Sequence, residues 1–115
     1  METAFAKGLA LLEAGEYFAA HEALETAWRA AEADERDFFQ GLVHVAVAWY
    51  QAGRGRRVGC ERQLAKAARR LEPFAPEHRG VDVAAVLRQL EAARFPTLAP
   101  LVLRDVRSQN PDPPA

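Results

Sequence analysis

The stretch Phe38–Ala52, F-F-Q-G-L-V-H-V-A-V-A-W-Y-Q-A, is apolar almost all the way round a helix and limits the possible folds more than any other part of the chain. At about 100° per residue, Phe38, Leu42, Val45 and Trp49 fall on one side, and Phe39, Val43 and Tyr50 on another. A helix with so little polar surface has to be surrounded by other elements. Its polar residues, Gln40, His44 and Gln51, lie within about 40° of one another and form a single stripe. The segment is therefore expected at the centre of a helical bundle.

The flanking pattern supplies the surround. Thr3–Ala14 carries Phe5, Leu9 and Leu12 at helical spacing, with Thr3 as N-cap and Gly15 as the stop. A second helix is expected over Tyr17–Ala33, antiparallel to the first because the link is so short. The polar run Glu32–Asp37 separates this hairpin from the central helix. After the turn Gly53–Arg57, a fourth helix places Cys60, Leu64, Ala67, Ala68 and Leu71 on one face and Arg62, Lys66, Arg69 and Arg70 on the other. Pro73 and Pro76 end it, and Asp82 caps a fifth helix, Val83–Arg94, stopped by Pro96.

The expected fold is thus all-α: a compact bundle of about five helices, built from two helix hairpins plus a capping helix, with no sheet. The boundary falls after Pro96, giving a helical domain over 1–96 and an irregular, proline-rich C-terminal tail over 97–115. Within that tail Leu101-Val102-Leu103 is expected to lie extended on the bundle, and the chain from Asn110 to fray. A faint repeat, Phe5-x-x-Gly8-Leu9 and Phe38-x-x-Gly41-Leu42, spaced by 33 residues, suggests that both hairpins share one geometry.

Length and composition fit one soluble domain. Cys60 is the only cysteine, which excludes an internal disulfide and a cysteine-based metal cluster and points to a cytoplasmic setting. No uncharged stretch reaches the ~18 residues of a membrane span. Charge is split along the chain: residues 1–37 carry nine acids against three bases, and residues 38–71 one acid against seven bases. Either the two blocks neutralise each other inside the fold, or they meet across an interface as a homo-oligomer or with a protein partner. Nucleic acid is a poorer partner, because no aromatic residue is interleaved with Arg54, Arg56, Arg57, Arg62, Lys66, Arg69 and Arg70 to stack bases.

The chemically unusual stretch is Tyr17–Trp28, Y-F-A-A-H-E-A-L-E-T-A-W. Helical spacing sets Tyr17, His21, Leu24 and Trp28 on one face, with Phe18 and Glu25 at its edge and Glu22 further round, so His21 is expected mid-stripe. His21-Glu22-x-x-Glu25 begins like the zincin motif but has glutamate where the second histidine belongs. His21 and Glu25, one turn apart, with His44 from the third helix, remain candidate metal ligands. The wider candidate ligand-binding set is His21, Glu22, Glu25, Trp28, Gln40, His44 and Gln51, between the second and third helices. The competing reading is a buried imidazole paired with Glu25 that fixes helix register, in which case His21→Ala costs on the order of 1–3 kcal/mol. No particular cofactor or reaction is indicated.

The combination Phe18-x-x-His21-Glu22-x-Leu24-Glu25-x-x-Trp28, then Phe39-Gln40-Gly41-Leu42-Val43 and Ala46-x-Ala48-x-Tyr50, resembles the small prokaryotic family called domain of unknown function 309. The likeness runs from about Phe5 to Leu87. It implies an all-helical domain of unassigned role, with the family's characteristic His, Glu, Glu, Trp and Gln falling on His21, Glu22, Glu25, Trp28 and Gln40. Two features depart from the family's pattern: His44 and Gln51 look exchanged, and Arg56 stands where the family tends to asparagine.

Overall fold

Proline-free runs rich in alanine and leucine become helices in the computed structural model, which describes residues 2–104. They are α1 Glu2–Glu13, α2 Tyr17–Ala30, α3 Arg36–Gly53, α4 Arg57–Leu71 and α5 Val83–Ala92. Short 3-10 turns at Ala33–Glu35 and Glu72–Phe74 follow α2 and α4. Among the described residues the only β pairing is an isolated bridge between His78 and Val81.

Each hairpin turns by the same device. At the end of α1 the Glu16 N–H reaches the Leu11 carbonyl (2.9 Å) and the Gly15 N–H reaches Leu12 (3.1 Å). At the end of α3 Arg56 reaches Gln51 (2.9 Å) and Gly55 reaches Ala52 (3.1 Å). This is the Schellman pattern, in which the penultimate position is left-handed, and Gly15 (φ 81°) and Gly55 (φ 74°) occupy it. Close approach inside the hairpins also rests on glycine. A Cβ on Gly8 would lie 2.7 Å from the Leu24 side chain, and one on Gly41 would lie 2.7 Å from Leu71. The repeat in the sequence is therefore a pair of identical helix-packing notches.

Several helix ends differ from the expected ones, including the end of α5, which falls short of the stop at Pro96. α1 starts at Glu2, so Thr3 lies inside its first turn and does not cap it. α2 stops at Ala30 because Ala31 is extended, and α3 starts at Arg36, ahead of Phe38. α5 ends at Ala92, since Ala93 is extended. Asp82 does cap α5, its carboxylate accepting the Ala85 N–H at 2.9 Å.

Central α3 has ten of its 18 residues buried, as its all-round apolarity requires. α2 and α4 each pack against α3, and α1 packs on α2. Phe5 of α1 meets Phe38 and Phe39 edge-on, at ring separations of 6.0 and 5.3 Å.

Residues 97–104 are bound to the bundle. Leu101 and Leu103 join the core while Val102 faces outward. The Gln89 amide grips the Val102 backbone from both sides, donating to its carbonyl (2.7 Å) and accepting its N–H (2.9 Å). The Trp49 indole donates to the Ala99 carbonyl (2.9 Å), the Asp82 N–H to the Leu103 carbonyl (2.8 Å), and Arg104 pairs with Glu13. The fraying expected from Asn110 onward lies outside the described residues.

Candidate functional site

The buried face of α2 is centred on Ala20, Leu24 and Ala27, and this shifts His21 from mid-stripe to the edge. Helices approach most closely where side chains are smallest, so the two alanines, and not the large residues Tyr17 and Trp28, define the contact line. His21 Nε2 lies 3.3 Å from Glu25 Oε2, with the two side chains 26% and 32% exposed. Glu25 also meets Arg29 at 3.4 Å. The pair is half-buried, and no polar or charged residue of the described chain is fully buried.

The candidate residues divide into separate places. Trp28 lies further along α2, with the Arg36 guanidinium 5.4 Å above its ring. Glu22 is exposed. His44 and Gln51 face α4: His44 Nδ1 donates to Gln63 Oε1 at 2.6 Å, and the Gln51 side chain lies against Gly59. Gln51 Oε1 is buried with no hydrogen-bond partner among the described residues. Gln40 is half-buried on the same helix. Two residues of the polar stripe, His44 and Gln51, thus serve the α3–α4 contact. Among the described residues no three His, Cys, Asp or Glu side chains group into a metal-binding cluster, so His44 does not complete a set with His21 and Glu25.

His21 belongs instead to a row that runs across α2 and α3. The Phe18 ring lies 5.8 Å from the His21 ring and 5.5 Å from Tyr50, and the Arg54 guanidinium lies 5.7 Å over Tyr50. Beyond Phe18 the surface sinks into a cleft of about 340 Å³, walled by Gly15, Glu16, Tyr17, Phe18 and Ala19 of α2 and its preceding turn, and by Trp49, Tyr50, Gly53 and Arg54. A second hollow of about 220 Å³ shares Tyr17, Trp49 and Gly53 and extends to Pro96, Thr97 and Leu98. Neither Tyr50 nor Arg54 stands in the candidate ligand-binding set drawn from the sequence, where Arg54 figures only as a nucleic-acid contact. Their i, i+4 spacing at the end of α3, one turn from the Gly55 stop, was the available signal.

The titratable groups with displaced pKa values lie mostly elsewhere. Burial pushes the Tyr17 phenol up, away from use as a base. Burial, then the Glu61 charge, pushes the Cys60 thiol up. Burial pushes the His44 imidazole down against the opposing bond from Gln63, and the charges of Lys66, Arg70 and Arg69 push it the same way. A second cluster, unseen in the sequence, joins the 3-10 turn after α2 to the loop before α5. His78 Nε2 donates to both Glu35 carboxylate oxygens (2.8 and 3.0 Å), and Arg79 donates to the same group. Burial alone would raise the Glu35 carboxyl, but the bonds from Arg79 and His78, helped by their charges, outweigh it and hold the group below its ordinary value.

These features define a class: a small all-α domain of two helical hairpins and a capping helix, with an open aromatic cleft at one end. The chain belongs to the family described as domain of unknown function (DUF309), whose model matches residues 5–63. That span runs from α1 into α4, shorter than the Phe5–Leu87 likeness, and contains every residue of the first cleft. No curated protein matches the chain, and no solved structure does. None of the described helices is long and apolar enough to cross a membrane.

Proposed function

We propose that the chain is a non-catalytic, cytoplasmic interaction module that sets the cationic outer face of α4 against an acidic protein surface, its own charge split favouring a second copy as partner. The observation that carries this reading is the row Arg62, Lys66 and Arg69. All three are exposed at i, i+4 and i+7, and none has a carboxylate partner among the described residues. Other bases of the block are engaged: Arg70 with Asp37 at 2.6 Å and Arg57 with Glu61 at 3.5 Å. The depressed His44 imidazole feels the same positive field.

The complementary surface is acidic. Glu16, Glu22, Glu32 and Asp34 are exposed on and around α2, across α3 from the basic row. In a two-fold pair each acidic hairpin faces the partner's α4, so the favourable contact is made twice. Arg62, Lys66 and Arg69 have no aromatic neighbour on the α4 sequence, which favours protein over nucleic acid. A buried thiol with a raised pKa is unreactive, in keeping with a binding role.

Sedimentation velocity tests the proposal. In about 30 mM salt the chain should sediment as a dimer, and it should dissociate as salt approaches about 500 mM, where charges are screened within a few ångström. The triple variant Arg62→Glu, Lys66→Glu, Arg69→Glu should remain a monomer with unchanged helicity. A chain that stays monomeric at low salt overturns the self-association reading, and low-salt retention of a single-stranded oligonucleotide through the same three residues overturns the choice of protein.

A further inference from the structure

We infer that the cleft between the first turn of α2 and the last turn of α3 binds a small aromatic carboxylate, its ring held by Tyr17, Phe18 and Tyr50 and its acid group by Arg54. This site is separate from the α4 row, and the inference does not depend on self-association.

Four aromatic side chains converge on one hollow of about 340 Å³, a size at which small-molecule sites begin. Trp49 forms a fixed wall, being 4% exposed and held by its bond to Ala99. Phe18, by contrast, leaves 53% of its surface in water with no apolar element over it, a cost that a bound ring would remove.

Charge decides which kind of ring compound fits. Arg54 is exposed, has no carboxylate partner among the described residues, and lies over Tyr50 at 5.7 Å. A guanidinium in that place already fills the ring face that a cationic ligand would seek, and it presents its N–H fork to an anion. Glu16, the acid in the lining, repels a carboxylate and so orients the ligand with its acid end toward Arg54.

The test is amide NMR titration with three probes of one shape: 3-phenylpropionate, 3-phenylpropionamide and phenethylamine. Phenylpropionate should shift the amides of Tyr17, Phe18, Gly53 and Arg54 saturably, and bind about tenfold more tightly than the neutral amide, the size of one charge-assisted hydrogen bond. Arg54→Gln should erase that preference, leaving acid and amide equal, while Phe18→Ala should weaken both. Both positions are exposed, and unchanged shifts elsewhere will report that the variants remain folded. Absence of saturable shifts, equal or tighter binding of the amine, or an undiminished acid preference in Arg54→Gln would each overturn the assignment.

Discussion

Gly8 and Gly41 are the smallest residues on which the hairpins depend. A methyl group at Gly41 would lie 2.7 Å from two carbons of Leu71 and 3.2 Å from Arg70, with α4 packed along the whole contact. Gly41→Ala should therefore lower stability in urea by about 1–3 kcal/mol, the cost of overpacking, whereas Gly53→Ala, whose new Cβ meets nothing within 4 Å, should be neutral or slightly stabilising. His21→Ala belongs at the mild end too. Its pair with Glu25 is about a quarter to a third exposed, so the loss should be under about 1 kcal/mol, less than a buried partner would cost. A loss above about 2 kcal/mol in the same urea series would mean that the pair is buried in solution. The repeated F-x-x-G-L was legible as a shared geometry because glycine has few reasons to recur at one helical position. Helical spacing puts His21 mid-stripe only if the large residues form the contact line, whereas Ala20 and Ala27 set it with Leu24.

At the scale of elements, periodicity located the five described helices, and the ends marked by Gly15 and Asp82 stood where residue chemistry put them, whereas the left-handed Gly55 was hidden inside a turn expected over Gly53–Arg57. What periodicity could not reach was the tie between Glu35 and His78, 43 residues apart, because no local pattern announces a partner across the fold. That tie has a pH signature. Glu35 is held below its unfolded value, so its contribution is present above the ordinary carboxylate range and is lost as pH falls through the lowered folded value. His44 is also held below its unfolded value, by burial first, so its neutral form is the stabilising one and stability declines as pH drops below about 6.5. Thermal melts between about pH 8 and pH 3 should fall in two stages. Glu35→Gln should flatten the lower stage and His44→Gln the upper, and a profile indifferent to both substitutions would rule out these two groups as its source.

For the whole molecule, the boundary drawn at Pro96 from proline content is open to a direct test, because Leu101 and Leu103 fill the core beyond it. A chain ending at residue 96 should melt well below one ending at residue 104, each missing leucine costing on the order of 2–5 kcal/mol. Equal melting would make the segment an ornament. The two tryptophans allow its attachment to be watched without any label. Trp28 is half-buried beneath Arg36, and Trp49 is closed in and hydrogen-bonded to Ala99. With Trp28→Phe, Trp49 becomes the sole indole emitter, with a short-wavelength maximum while residues 97–104 are seated and a longer one once they lift. The bond from Trp49 to Ala99 thus gives the molecule its own optical gauge of whether residues 97–104 are in place.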